Sequence, residues 1–243
     1  FKIDITTNTS EKITLTGDIP SPRFGHTMVA IGDYIYICSG FEVNSWGKEN
    51  DLWKIDITNK TSAKIHLSGD TLLQRQYHSM VAIGDALYIF SGYEYNNWDM
   101  HLSNDLFKID ITTNTSEKIT LTGDKPGPRQ LHAMVAIGDY IYIFGGSSGA
   151  GSYLYKIDIT TNTSEVVNLS GDKPGARFNH SMVVIDDHMY VFGGYRWNGY
   201  GRYNDLYKIE FVNLLNIAYL KLYDSLKTPE ELNTIYTLHS DEF

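Results

Sequence analysis

The chain has 243 residues, 42% of them hydrophobic and 20% charged, a balance that supports a sizeable core and excludes wholesale disorder. Its net charge of -9, with no Lys or Arg block to override it locally, excludes nucleic acid as the expected partner. The longest apolar strings are strand-sized, so no segment reads as a membrane span, and the single cysteine, Cys38, excludes an intramolecular disulfide framework and sets the expectation of a reducing, cytoplasmic compartment.

Gly and Pro scattered among runs of Val, Ile, Tyr and Thr predict many short strands and turns, hence an all-β chain as far as residue 211. Residues 1–18, FKIDITTNTSEKITLTGD, read as two strands around a TTNTS turn. At Arg23 a unit begins that recurs at Arg75, Arg129 and Arg177, each Arg followed three residues later by His26, His78, His132 or His180, with spacings of 52, 54 and 48. A period near 50 residues indicates an array of supersecondary modules that bury their faces only against neighbours.

Each unit predicts four strands. The first, around HTMVAI, is largely apolar, as expected of a strand packed on both faces. Gly32-Asp33, Gly84-Asp85 and Gly138-Asp139 then supply a tight hairpin, with Asp186-Asp187 a less comfortable substitute in the fourth copy. The second strand, YIYIC and its relatives, ends on a small pair whose second member is Gly40, Gly92, Gly146 or Gly194, where a missing Cβ permits close backbone approach. After a variable insert comes the third, DLWKIDI and relatives, which alternates as a half-exposed strand does. A TTNTS turn leads to the fourth, EKITLTGD and relatives, at the rim.

On this pattern residues 1–18 are strands three and four of a unit whose first half is absent, so the natural protein is expected to extend upstream, and any N-terminal signal would not be visible. Beyond Phe211 the period changes: Leu215, Tyr219, Leu222 and Leu226 form a helical stripe, and Thr228-Pro229-Glu230-Glu231 reads as the capped start of another helix. NIAYLKL also admits a reading as a degenerate fourth strand. The expected organisation is therefore a repeat array over 1–211 and a helical extension, or the start of another domain, over 212–243.

The Arg and His that open the unit, the small pair after IYIF, Asn-Asp-Leu before the third strand and the Gly-Asp-x-Pro-x-x-Arg passage into the next unit resemble the kelch repeat family. The resemblance implies a kelch-type β-propeller with four-stranded blades, here a partial ring of the roughly four to eight blades usual for propellers. There are departures. Ser10, Ser62, Ser116 and Ser164 stand where kelch repeats commonly have Trp, the third unit has Ser152-Tyr153 for Asn-Asp, two units carry Ser-Gly rather than Gly-Gly, and Leu72 replaces a proline.

In a four-stranded blade the loops after strands two and four emerge on one face, and function on such scaffolds sits in variable loops. The inserts after strand two carry Trp46, Tyr95, Trp98, Tyr195, Trp197 and Tyr200 with Arg196 and Arg202, the residue types enriched at binding hot spots. They either pack across adjacent loops as a local cap or contact a partner, and their company of Asn, Gly and further aromatics favours contact. Arg23, Arg75, Arg129 and Arg177 lie beside the same face and either serve the fold or hold a partner carboxylate bidentately. The regular His26, His78, His132 and His180 read as structural, bonding neighbouring backbone near the start of the inner strand, because a catalytic group is needed once and a structural bond in every unit.

Kelch propellers also include copper oxidases and sugar-acid epimerases. A copper oxidase would need a Tyr coupled to a Cys, but Cys38 stands where sister units have Phe90, Phe144 and Phe192 and reads as core. His66, His101 and His188 are far apart in sequence and mark no metal-ligand spacing. The expectation is a module that binds a protein or peptide, with no catalytic residue, metal or cofactor. A kelch-fold enzyme and a purely structural spacer are the alternatives.

Overall fold

In the computed structural model, which describes residues 1–42, 51–96, 99–147, 151–186, 188–196 and 201–211, every repeat opens with an antiparallel pair. These are Thr27–Ile31 with Tyr34–Cys38, Ser79–Ile83 with Ala86–Phe90, Ala133–Ile137 with Tyr140–Phe144, and Ser181–Ile185 with His188–Phe192. The Gly of each Gly-Asp turn holds a φ of 54–56°, and Asp186 takes 52° in the fourth copy, a left-handed conformation that a residue with a Cβ enters at some cost. Third strands Leu52–Asp56, Leu106–Asp110, Leu154–Asp158 and Leu206–Glu210 follow outward. In the first three repeats Thr61–Ile65, Thr115–Ile119 and Thr163–Val167 complete four antiparallel strands.

The turn between strands three and four explains its own composition. The Asp56 carboxylate accepts the N–H groups of Thr58 and Asn59 at 2.9 and 2.8 Å, and Asp4, Asp110 and Asp158 do the same in their copies. Asn8, Asn114 and Asn162 sit at φ of 54–55°, where Asn is the best tolerated residue after Gly. Strand four begins inside the TTNTS motif, earlier than the sequence suggests.

The rest of the predicted rim strand does something else. Thr16–Gly17, Ser68–Gly69 and Thr122–Gly123 each run parallel to the outermost strand of the following repeat, pairing with Thr61–Ser62, Thr115–Ser116 and Thr163–Ser164. A Cβ on Gly69 would lie 2.4 Å from the Ser116 carbonyl oxygen. The crossing strand is therefore confined to glycine where it meets the backbone of the buried Ser62, Ser116 and Ser164.

The four inner strands adjoin in sequence order, as blades around an axis do. Alternation sends one face of each blade to its predecessor and the other to its successor. Tyr36, Cys38 and Leu52 of the first blade meet Met80, Leu87 and Phe107 of the second, and Val81, Tyr88 and Phe90 of the second meet Met134, Ile141 and Ile157 of the third. Burial in the first of these seams raises the Cys38 thiol to about 11, which makes it an inert core residue. The first compact unit covers Phe1–Lys208. Of the second, Ile209–Phe243, the described residues are the first three, so the helices expected over 212–243 lie outside the described residues.

Candidate partner-binding face

Each repeated Arg sits in a short segment that meets the chain leaving strand two. Arg23–Phe24 pairs with Phe41–Glu42, Arg75–Gln76 with Tyr93–Glu94, and Arg177–Phe178 with Tyr195–Arg196. In the third repeat the equivalent contact is a bridge between Gln130 and Ser147. In the second repeat the insert extends into a ribbon, with Tyr93–Asn96 antiparallel to Asp99–Leu102. The variable inserts are thus rooted on one face.

The four arginines build this root and do not face outward. The Nε of Arg23, Arg75, Arg129 and Arg177 donates to a carbonyl two residues back, and Nη1 donates to Ser39, Ser91, Gly145 and Gly193 carbonyls at 2.9–3.0 Å. Arg23 makes a bidentate pair with Asp51 at 2.7 and 2.8 Å, and Arg177 with Asp205 at 2.6 and 3.2 Å. Arg75 pairs instead with Glu94 from the insert, which frees Asp105 to meet Lys118 at 2.7 Å. Arg129 has no carboxylate partner among the described residues, because Tyr153 occupies the Asp position. Its guanidinium lies 5.0 Å from the centre of the Tyr155 ring. All four are buried or nearly so, which removes them from direct contact with a partner.

The second glycine of each pair locks adjacent blades. Gly40, Gly92 and Gly146 donate N–H bonds of 2.9 Å to the carbonyls of Arg75, Arg129 and Arg177 in the next blade. A Cβ on Gly92 would stand 2.8 Å from the Gln76 carbonyl oxygen and 2.9 Å from the His78 Cβ, and Gly194 is as confined, by His180 and Phe178. Ser39 and Ser91 adopt φ of 47° and 62° in the first position, and the Ser91 hydroxyl bonds across the seam to the Arg129 carbonyl. Two residues after each Arg, a second belt circles the axis: Tyr77 N–H donates to the Gly25 carbonyl, Leu131 to Tyr77 and Asn179 to Leu131, at 2.8–3.1 Å.

Gly25, Tyr77, Leu131 and Asn179, with the four repeated histidines, line a cavity of about 190 Å³ at the axial mouth. The histidines do not bond backbone as expected. His78 Nε2 lies 2.6 Å from the Thr27 hydroxyl, whereas both ring nitrogens of His132 and His180 lack hydrogen-bond partners among the described residues. Their rings pack edge-on against Phe90 and Phe144 of the preceding blade, at 5.5 and 5.4 Å. Burial, followed by the neighbouring Arg, holds His78 and His132 well below the usual imidazole range and lowers His180 to about 4.

Around that mouth lies an aromatic shelf. Phe24 meets Phe41 at 5.3 Å and Tyr77 at 6.3 Å, and Phe41 meets Tyr95 at 6.0 Å. Phe24 is 46% exposed. In the fourth repeat Phe178 stacks on Tyr195 at 5.5 Å, Arg202 lies over Tyr195, and Arg196 lies over Tyr203. Of the sequence candidates, the structure places Tyr95, Tyr195, Arg196 and Arg202 on this face, while Trp46, Trp98, Trp197 and Tyr200 lie outside the described residues. Phe24, Phe41 and Tyr77 were not singled out from the sequence, although their aromatic type beside the repeated Arg was the available signal. The same holds for Asp51 and Asp205, each 28 residues after its Arg.

A second cavity of about 310 Å³, with charged residues in its lining, lies beside the second blade and includes Glu94, Asp105, Phe107 and Lys118. Among the described residues no group of three or more His, Cys, Asp and Glu side chains is placed to hold a metal ion, and no helix is long and apolar enough to cross a membrane.

The chain resembles solved and curated proteins of the same architecture. The solved structure titled "Structure of YjhT" aligns with a TM-score of 0.65 over 82% of this chain and 66% of that one, at 19% identity, which is a likeness of fold. Kelch domain-containing protein 3 of Bos taurus is 31% identical over 128 residues, 53% of this chain and 33% of the relative. The N-(sulfonatooxy)prop-2-enimidothioate sulfolyase of Thlaspi arvense is 30% identical over 138 residues, 56% of this chain and 38% of that enzyme. The chain thus spans about a third of the length of such curated relatives. With matches over residues 1–146 and 77–231, and with blades built as above, the chain belongs to the KLHDC2/KLHL20/DRC7 Kelch-repeats domain family.

Proposed function

We propose that this chain is a protein- or peptide-binding module that takes its partner on the loop face, around the axial mouth, and performs no chemistry on it. One observation carries the reading: Phe24, Phe41, Tyr77 and Tyr95 form a continuous aromatic shelf spanning two blades beside a cavity, with Phe24 exposed. Aromatic side chains supply large, rigid contact area at low entropic cost. Arg196 and Arg202, exposed on the fourth repeat, add cationic contacts for an acidic residue of the partner. The buried arginines and glycines hold this surface rigid, which lowers the ordering cost of binding.

A second reading, an enzyme on the same scaffold, draws on the sulfolyase relative and would place its substrate in the charge-lined cavity beside Glu94 and Asp105. Affinity capture from lysate with the intact chain, beside a Phe24→Ala, Tyr95→Ala, Tyr195→Ala, Arg196→Ala variant of confirmed fold, separates the two. A captured protein lost in the variant supports partner binding. Capture that the variant leaves unchanged moves the contact off this face, and turnover in a substrate screen that Glu94→Gln abolishes favours the enzyme.

A further inference from the structure

Two repeats place the same pair of carboxylates around the same Arg and use them oppositely. Glu42 stands opposite Arg23 in register as Glu94 stands opposite Arg75, and Asp51 and Asp105 each immediately precede the third strand. Arg23 takes Asp51 at 2.7 and 2.8 Å, whereas Arg75 takes Glu94 and leaves Asp105 to Lys118 at 2.7 Å. The backbone gives no reason for the difference. The Asp105 carbonyl accepts the Ser91 N–H at 3.0 Å as the Asp51 carbonyl accepts the Ser39 N–H at 2.8 Å, so the two carboxylates start from equivalent places. What differs lies two residues on: the Trp53 indole N–H donates to Asp51, and Phe107 has no such donor to offer Asp105.

We propose that Arg75 exchanges one carboxylate for the other, and that this exchange docks and releases the ribbon that carries Tyr95. There is room for it, since Glu94, Asp105 and Lys118 line one cavity of about 310 Å³. Charge balance permits it as well. In the docked state Arg75 has Glu94 and Lys118 has Asp105. In the released state Arg75 has Asp105, the half-exposed Lys118 turns to solvent, and Glu94 leaves with the ribbon, where His101 stands directly across from it with Nε2 at 3.5 Å. The buried guanidinium keeps a carboxylate in both states, so neither carries an uncompensated buried charge and the two lie close in free energy. Tyr95 follows Glu94 on the same strand, meets Phe41 at 6.0 Å, and accepts a bond from the Gln76 amide at 2.5 Å, so release takes it off the aromatic shelf. This regulation of partner binding rests on the reading of the shelf as the contact, whereas the exchange itself does not.

The test is a double-mutant cycle in urea unfolding of the whole chain. Glu94→Gln and Asp105→Asn should each shift the midpoint little, because the remaining carboxylate serves Arg75, and together they should shift it far more than the sum of the two. An additive cycle overturns the proposal. Phe107→Trp supplies the second blade with the indole donor that holds Asp51 in the first, and it touches neither Glu94 nor the ribbon strands. Amides of Tyr93–Asn96 and Asp99–Leu102 should therefore exchange about tenfold faster in Phe107→Trp and in Glu94→Gln, and at the parent rate in Asp105→Asn. Ribbon exchange that Phe107→Trp leaves at the parent rate also overturns it. Partner capture with Phe107→Trp separates this proposal from the reading of the shelf. With a non-additive cycle and a faster ribbon, lost capture supports both, and unchanged capture supports the exchange while counting against Tyr95 as a partner contact.

Discussion

At the scale of single residues, the array is governed by where charge is allowed to be buried. A buried guanidinium is tolerable when its N–H groups all find acceptors and a carboxylate neutralises it. Arg23 and Arg177 meet that condition through Asp51 and Asp205, Arg75 meets it through an insert residue, and Arg129 substitutes a tyrosine face. Asp51→Ala should therefore lower stability by about 3–5 kcal/mol in urea unfolding, since it leaves Arg23 buried and also removes the acceptor of the Trp53 indole N–H. Tyr153→Asp should raise stability by about 1–2 kcal/mol by giving Arg129 its counter-ion; a loss would mean that the Tyr155 contact already suffices. The histidines act in the opposite sense. His78, His132 and His180 are held neutral in the fold by burial, so the unfolded chain binds more protons once pH drops below the ordinary imidazole value near 6.5. Stability should fall from that point, until the folded groups also protonate, near 4 for His180, with a slope of up to about 1.4 kcal/mol per pH unit per histidine. Thermal unfolding between pH 7.5 and 4.5 checks this, and His180→Leu should flatten the slope by one proton. The turn carboxylates Asp4, Asp56, Asp110 and Asp158, lowered by backbone N–H groups or, at Asp158, first by the Thr160 hydroxyl, contribute below that window and not within it.

At the scale of the element, glycine does two different jobs. Gly84 and Gly92 both hold positive φ, 56° and 95°, yet a Cβ on Gly84 meets nothing within 4 Å while one on Gly92 strikes the backbone of the Arg segment. Gly84→Ala should cost about 1 kcal/mol, the strain of a left-handed residue. Gly92→Ala should cost several times more, because the added Cβ must displace the Gln76 carbonyl and the His78 backbone of the same repeat. Chemical unfolding of the two variants side by side distinguishes conformational strain alone from strain with a steric clash. The sequence revealed strands one to three of every unit through apolar periodicity and the Gly-Asp turn. It did not reveal that Ser68–Gly69 leaves its own blade to become a parallel outer strand of the next, because a two-residue pairing has no period to detect and its partner lies 47 residues on.

At the scale of the whole molecule, the face that carries the candidate site was legible from the alternation of strand direction, and so was its enrichment in Tyr and Arg. Burial was not legible: whether Arg75 points to solvent depends on Glu94, which the sequence places in a loop of no fixed shape. Repetition also has an energetic consequence. A blade packed on both faces is held by two apolar seams, and a blade with an open face by one, so stability should vary along the array as nearest-neighbour terms do. Strand Ala86–Phe90 is fully buried between the first and third blades, whereas His188–Phe192 ends on an exposed Phe. With about 1.5–3 kcal/mol for each large side chain left uncovered, amides of His188–Phe192 should exchange with solvent at least tenfold faster than those of Ala86–Phe90 in dilute solution. Hydrogen exchange read by peptide mass spectrometry resolves the two strands.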